Sequence, residues 1–186
     1  FVGRFNREHP EFRIGIPDST ANLDYRHPAV RRLKLTVFRE AIAAGADGLM
    51  LNFSVYLPYF RKPDAAVMTR FMRQVRRMAE AAGRRRGRKI EIMAKVPWRD
   101  AKAEGLDWKT WVQEGLVDII VPYFHWERRV ESGRLRCVQF TSDFDVPVEE
   151  FVGLARQTGC RVYGSLWFAL GGCVSLDPRP GDQEKG

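Results

Sequence analysis

Long apolar runs are missing from this sequence. No stretch approaches the roughly 18 residues that a membrane-spanning helix needs, and no basic start leads into an apolar stretch with a small-residue cleavage site. We therefore expect no membrane partner. The chain begins at Phe1 rather than Met and ends in a polar segment, so we expect a piece of a longer protein. Its compartment, cytoplasmic or exported, stays open.

Cysteine and histidine are scarce. The three cysteines, Cys137, Cys160 and Cys173, form no C-x-x-C pair, so the sequence predicts neither a disulfide framework nor a zinc site. The sequence also has no Ser-His-Asp spacing, phosphate-binding glycine loop or metal motif. We expect no metal and no cofactor.

Acidic residues are outnumbered, with 23 Asp and Glu against 31 Lys and Arg, which gives a formal net charge of +8. The one dense basic block, Arg84 to Lys89, follows a helical pattern and precedes an apolar run. Cations there favour the negative end of a helix dipole. A polyanion-binding patch is the alternative interpretation, although we expect no nucleic-acid partner.

A repeating pattern organises the rest of the chain, in which 45% of residues are hydrophobic. Each unit is a helical pattern, then a glycine, then a short apolar run, and glycine is the usual left-handed residue just past a helix. The four glycines are Gly45, Gly83, Gly115 and Gly159. The apolar runs that follow predict strands at Leu49–Phe53, Ile90–Val96, Val117–Phe124 and Arg161–Phe168, with a weaker one at Phe12–Ile16.

The helices carry apolar stripes at i, i+3/i+4 and i+7 spacing, which are typical of helices that pack on a sheet. Asp107 is expected to cap a short helix with Trp108, Trp111 and Val112, and Pro147 is expected to open another. The two long stripes are Val30, Leu33, Val37 and Ala41, and then Val67, Phe71, Val75, Met78 and Ala82.

Apolar strands that alternate with helices predict an α/β fold with a parallel sheet, either a doubly wound sheet or a barrel. Glu91, Met93 and Lys95 alternate with an apolar set, as in a barrel strand whose inner face holds polar groups. We therefore predict a (β/α)8 TIM-barrel type of fold. A full barrel needs about 250 residues, so residues 1–176 would form a partial barrel of four to five βα units, followed by a polar tail, 177–186.

Aromatic residues are concentrated at the predicted carboxyl ends of the strands, where parallel α/β folds form their sites. Their ring faces suit sugar rings, although each ring alone could instead be a core residue. Lys95 near the barrel mouth would meet a substrate carboxylate, or else pair internally with an acid such as Glu91. The predicted substrate-binding aromatic and histidine residues after these strands are Tyr56, Trp98, Tyr123, His125, Trp126 and Trp167.

Glycoside hydrolysis usually needs two carboxylates. The acids near the predicted rim are Asp100, Glu104, Glu127, Asp143 and Asp145. Asp145 lies just before the helix at Pro147 and is better explained as a cap. Glu127, directly after Trp126, is the candidate catalyst, with an ion pair to Arg128 or Arg129 as the alternative.

Three segments together resemble the family-10-like glycosylhydrolases, bacterial (β/α)-barrel proteins regarded as polysaccharide hydrolases. They are Asn22 to Arg31, which resembles an "LDY/P-x-x-P-x-V-R" helix start, Asp47 to Phe53, which resembles a "DGI/L-x-L-D-F" strand, and Trp111 to Pro122, which resembles "WVREGLVDILVP". Pro147 to Val152 is similar to "PVEEFV". The similarity keeps its order from about Phe5 to Leu166.

The resemblance implies an enzyme that acts on O-glycosidic bonds, with an acid on the signature strand. Asn52 occupies that position, and an amide cannot transfer a proton near neutral pH. The resemblance also implies that Asp24 and Tyr25 belong to the site, with Asp24 as a second candidate catalyst. We therefore expect a glycosylhydrolase-like protein that binds carbohydrate, and the alternatives are a barrel that binds glycan without cleaving it and a polyanion-binding protein.

Overall fold

Helices alternate with parallel strands throughout the described part of the chain. A computed structural model describes residues 3–15, 22–53, 58–123, 127–131, 134–139 and 146–165, with backbone alone for 127–131 and 134–139. The elements in chain order are α1 (Arg4–Glu8), a 3-10 turn (Pro10–Phe12), α2 (Pro28–Ala43), β1 (Gly48–Asn52), α3 (Ala65–Arg86), β2 (Glu91–Pro97), α4 (Trp108–Gln113), β3 (Ile119–Tyr123), β4 (Glu127–Glu131), β5 (Arg134–Gln139), α5 (Val148–Thr158) and β6 (Arg161–Val162).

Four of the strands form one parallel sheet in the order β1-β2-β3-β6. The strands of this sheet therefore follow one another in chain order. A separate antiparallel hairpin, β4–β5, lies between β3 and α5 in sequence. The predicted α/β class with a parallel sheet is confirmed. The structure describes the predicted fourth strand only as Arg161–Val162, and residues from 166 onward lie outside the described part.

The helices cover one face of this sheet. Leu51, Ile92 and Ala94 are at most 5% exposed, and they belong to one apolar cluster with the α3 residues Phe71 and Val75. The alternate side chains differ, since Met50 is 63% exposed and Met93 and Lys95 are half-buried. Successive residues of a strand point to opposite faces, so the second face of β1 and β2 is left largely open by the described residues.

The core is a contiguous helix–sheet layer. Trp111 of α4 is fully buried, and its indole N–H donates to the Thr69 hydroxyl of α3 at 3.0 Å. Trp108 stacks on Phe151 of α5 with ring centres 3.9 Å apart. The predicted cap of α4 is confirmed, because the Asp107 carboxylate accepts the Thr110 N–H.

The apolar stripe of α3 is confirmed, and that of α2 is confirmed in part. Val30 is buried and Leu33 and Ala41 pack against the core, but Val37 is 48% exposed, and the other buried residues of α2 are Leu35 and Ile42. The helix carries apolar residues on most of its circumference, so more than one stripe could be read from it, and packing against α3 selects between them.

Three of the four predicted glycine stops are confirmed. Gly45, Gly115 and Gly159 have positive φ, but Gly83 lies inside α3, which continues to Arg86 and ends at Gly87 with φ 66°. Gly83 has another role, since a Cβ there would lie 2.8 Å from the Arg88 carbonyl oxygen. The basic block thus forms the last turn of α3 and the residues after it, as the helix-dipole interpretation predicts.

The weak strand predicted at Phe12–Ile16 is wrong over its described residues. Phe12 ends the 3-10 turn that Pro10 begins, and Arg13 forms a single antiparallel bridge with Leu23. Pro10 fixes a backbone angle suited to a tight turn and has no N–H for a sheet ladder. Residue 16 lies outside the described part.

Asp118 joins three elements at the amino-terminal end of the sheet. Its carboxylate accepts hydrogen bonds from Arg76 of α3 at 2.9 Å and from the Ile92 N–H of β2 at 2.8 Å, and it pairs with Lys89 at 2.6 Å. Burial raises the pKa of Asp118, but these contacts outweigh burial and leave the pKa below its usual value. The charge of this aspartate therefore stabilises the fold.

Candidate functional site

The candidate site is the open face of β1 and β2 at their carboxyl ends, bordered by the carboxyl end of β3, where Tyr123 is buried and 1% exposed. The sequence predicted this face from the alternation in β2, and the structure confirms the alternation: Ile90, Ile92, Ala94 and Val96 are at most 2% exposed, whereas Glu91, Met93 and Lys95 are half-buried. Polar side chains are therefore held on a rigid sheet and not on a loop, which fixes their spacing.

Asn52, Lys95 and Tyr123 form a row across this face. Asn52 and Lys95 are direct partners in the β1–β2 register, and adjacent strands lie about 4.8 Å apart. Tyr123 pairs with Pro97 on β3, two residues beyond Lys95, and the Lys95 ammonium lies over the Tyr123 ring, 3.7 Å from its centre. The structure therefore brings together three of the residues predicted to bind substrate.

The Lys95 amine is the principal charge of this row. Partial burial lowers its pKa from the usual lysine value, and a cation over an aromatic face gains about 0.5–2 kcal/mol, depending on desolvation. Among the described side chains, no carboxylate pairs with Lys95. The predicted internal pair with Glu91 is wrong, because Glu91 accepts a hydrogen bond from Arg161 of β6 at 2.5 Å. The ammonium therefore has donor capacity for a ligand.

Tyr59 fixes the loop after β1 to the same edge. Its hydroxyl donates to the backbone carbonyl of Asn52 at 3.2 Å, and its ring meets Phe53 edge-on at 5.5 Å. Tyr59 is not among the site residues predicted from the sequence. Its role depends on a hydrogen bond to the strand backbone, for which the sequence carries no signal beyond an aromatic residue at a strand end.

Trp98 extends the row beyond β2. Its backbone N–H donates to the Tyr123 carbonyl oxygen at 2.9 Å, and the Arg99 guanidinium carbon lies 4.5 Å from the centre of its ring. Asp100 follows in the left-handed region with φ 54° and is exposed. Trp98 is half-buried. Trp98, Arg99 and Asp100 thus place a ring, a cation and a carboxylate where β2 ends. The sequence analysis selected Trp98 and Asp100 but not Arg99.

The contacts of Asp24 and Tyr25 are with residues outside the row of Asn52, Lys95 and Tyr123. Asp24 is 4% exposed, and its carboxylate accepts the backbone N–H groups of Arg26 at 2.9 Å and Arg61 at 3.4 Å. Tyr25 is 8% exposed and packs edge-on against Tyr59 and Phe71, and burial raises its pKa. In the described part of the chain, no hydrogen bond, ion pair or ring contact joins either residue to Lys95.

Five other predicted site residues cannot be placed with their side chains. Glu127 is the first residue of β4, whose side chains lie outside the described part. Tyr56, His125, Trp126 and Trp167 fall outside the described residues. Their roles stay predictions.

The described residues include no group of three or more histidine, cysteine, aspartate or glutamate side chains that is arranged to hold a metal ion. None of the helices that these residues form is both long and apolar enough to cross a bilayer.

Comparison with the models of known protein families finds no match for this chain. A search of curated proteins likewise finds no relative that matches it.

Proposed function

We propose that this chain is the carbohydrate-contacting part of a glycosylhydrolase-like barrel protein that acts on O-glycosidic bonds of a polysaccharide or oligosaccharide. The observation that carries the proposal is the placement of Asn52 and Lys95 on the open face of β1 and β2, beside the buried ring of Tyr123, at the carboxyl ends of parallel strands. In α/β barrels the site lies at that end.

The order of the strands supports a barrel. A doubly wound sheet reverses its strand order at a switch point and carries helices on both faces, whereas the four described parallel strands follow chain order. Helices pack on one face, and the polar row lies on the other. These are features of a barrel wall, although the fold class by itself does not determine the reaction.

The chemistry of the row suits a sugar with an acidic substituent. The Asn52 side-chain amide can both donate and accept hydrogen bonds with sugar hydroxyls. The ring face of Trp98 offers apolar contact to sugar C–H groups. Lys95 supplies a positive charge for a carboxylate or sulfate and has no acidic partner among the described side chains.

A second function, glycan binding without cleavage, is favoured by the contacts of Asp24. Both of its carboxylate oxygens accept backbone N–H groups, and the side chain is 4% exposed. Such a carboxylate ties the backbone together and has little access to a glycosidic oxygen. With Asn52 on the signature strand, the described residues offer Asp100 as an exposed rim acid.

The test combines a binding assay and a hydrolysis assay on the full chain. A panel of neutral and acidic polysaccharides is screened by affinity electrophoresis and by release of reducing sugar, with wild type, Lys95→Met and the control Lys109→Met. Lys109 is an exposed lysine on α4. We expect an acidic polysaccharide to retard the wild-type chain, Lys95→Met to reduce that retardation, and Lys109→Met to leave it unchanged. Retardation that both variants retain in full would remove Lys95 from the proposal.

Three acid variants separate the two functions. If reducing sugar is released, Asp24→Ala, Glu127→Ala and Asp100→Asn show which acid the reaction needs, and activity untouched by all three would refute these acid assignments. If wild type binds but releases no sugar, Asn52→Asp is tested for gain of hydrolysis. Hydrolysis that appears only in this variant would establish the natural chain as a binder.

A further inference from the structure

A groove between α2 and α3 lies on the helix-covered side of the sheet, away from the candidate site. The cavity has a volume of about 770 Å³ and is lined mainly by residues from the second halves of both helices. Because these halves lead into the amino ends of strands, the groove is at the opposite end of the sheet from Lys95. Its lining residues are Leu35, Arg39, Ile42, Ala43, Gln74, Arg77, Met78, Ala81, Ala82, Arg85 and Arg86.

The walls of the groove are basic on both sides. Arg39 belongs to α2, and Arg77, Arg85 and Arg86 belong to α3, while none of the described residues that line the groove is acidic. Arg86 is engaged, because it donates to the Ala46 carbonyl oxygen at 2.9 Å. Arg39, Arg77 and Arg85 are exposed and have no hydrogen-bond or ion-pair partner within the described part of the chain.

Most of the other cations near the end of α3 have carboxylate partners. Arg73 binds Glu114 at 2.6 Å, Arg76 and Lys89 bind Asp118, and Arg88 pairs with Asp47. Arg84 is exposed without an ion-pair partner in the described part of the chain, but it does not line the groove. The groove thus collects three arginines without a carboxylate partner from two helices, which is a more specific location than the basic block that the sequence singled out.

The shape and lining of the groove select among anionic ligands. A groove between two helices is concave, so a slim single chain fits it better than a nucleic-acid duplex. None of the groove-lining residues is aromatic, so the groove has no stacking platform of the kind on which single-stranded bases depend. Small apolar side chains between the arginines, Ala43 and Ala81 with Met78, can contact the C–H groups of a sugar chain.

We propose that the α2–α3 groove binds a single-chain anionic polysaccharide through Arg39, Arg77 and Arg85. Guanidinium groups form two parallel hydrogen bonds with carboxylates and bind sulfate esters similarly. The inference is independent of the proposed function, because it concerns a different surface and different residues. An acidic peptide and a single-stranded nucleic acid are the rivals that its test must separate.

The experiment measures fluorescence anisotropy of a labelled heparin oligosaccharide titrated with the full chain at low salt. The test variant is Arg39→Gln/Arg77→Gln/Arg85→Gln. The control variant is Arg32→Gln/Arg70→Gln/Arg156→Gln, three exposed arginines that do not line the groove. Both variants lower the formal net charge from +8 to +5, by 8 − 3, so a general charge effect weakens both equally. Thermal unfolding followed by circular dichroism checks that both are folded.

We expect the groove variant to lose about 30-fold in affinity and the control to lose about threefold or less, since exposed cations away from the ligand act only through the screened net field. In a Lys95→Met background the groove substitutions should cause the same fold loss in affinity, because the groove and the candidate site share no residues. The logarithm of the affinity should fall with the logarithm of salt concentration less steeply in the groove variant, because fewer counterions are exchanged.

Three results would overturn the proposal. One is no binding of the heparin probe at low salt, and another is an equal loss in the two triple variants. The third is tighter, groove-dependent binding of a labelled oligothymidylate or oligoglutamate of matched charge, which would assign the groove to that ligand class instead.

Discussion

Replacing Asp118 with alanine tests the charge cluster that links β2, β3 and α3. Removing the carboxylate leaves Arg76, 8% exposed, without its charged partner, and the Arg76 Nε atom is already buried without a hydrogen bond. Loss of one partner of a buried ion pair costs about 3–5 kcal/mol. We expect about 3 kcal/mol for Asp118→Ala, because the second cation, Lys89, is 64% exposed and remains hydrated.

The assay is urea unfolding of purified chain, followed by tryptophan fluorescence. Asp47→Ala serves as the matched control, since Asp47 is 74% exposed and pairs with Arg88, and an exposed pair is worth about 1 kcal/mol or less. Adding Arg76→Met to Asp118→Ala should recover about 2 kcal/mol, because an apolar side chain replaces the unpaired charge. A loss below about 1 kcal/mol for Asp118→Ala, or no recovery in the double variant, would refute this reasoning.

Three further perturbations have expected outcomes. Thr69→Val should lower the free energy of unfolding by about 1–3 kcal/mol, because it leaves the buried Trp111 N–H without an acceptor. Thr69→Ser keeps the hydroxyl acceptor and should therefore retain most of the wild-type free energy of unfolding. Equal urea midpoints for the two variants would contradict the claim. Gly105→Ala should destabilise the chain by about 2 kcal/mol or more, since Gly105 has φ 84° and a Cβ there would lie 2.8 Å from Phe60. Gly153→Ala in α5 should instead stabilise it by about 0.5–1 kcal/mol, because a Cβ there would have no atom within 4 Å. Melting temperatures shifted in the same direction by both substitutions would contradict these assignments. The difference in free energy of unfolding between wild type and Asp118→Asn should reach its maximum above pH 3.8, the usual aspartate pKa. It should shrink as the pH falls through the lower pKa that Asp118 has in the folded state. A difference in urea midpoints that does not change with pH would show that the charge of Asp118 is not its source.

The sequence predicted those parts of the fold that local patterns determine. The alternation in β2 indicated which face Lys95 occupies, and Gly115 marked the end of a helix. Gly83 was misassigned because a close backbone approach and a helix stop both favour glycine. Arg84 and its basic neighbours are good helix formers, and they extend α3 to Arg86.

The site was predictable only in part, because its contacts depend on three-dimensional register. Lys95 and Tyr123 are on different strands, and only the pairing of β2 with β3 brings the ammonium over the ring. The burial of Asp24 likewise depends on the backbone N–H of Arg61, 37 residues away. A motif match shows that an acid is present, but it does not show which groups donate hydrogen bonds to its carboxylate oxygens.

The most direct test of the proposed site is isothermal titration calorimetry of the full chain carrying Arg39→Gln/Arg77→Gln/Arg85→Gln, so that the groove does not contribute, with two oligosaccharides of equal length, one neutral and one of uronic acids. We expect the acidic one to bind this background chain, a further Lys95→Met substitution to weaken binding at least tenfold by removing a charge-assisted contact worth about 1.5–3 kcal/mol, and a further Lys109→Met substitution to leave binding unchanged. Equal affinity of the background chain with and without Lys95→Met for the acidic oligosaccharide would contradict the account.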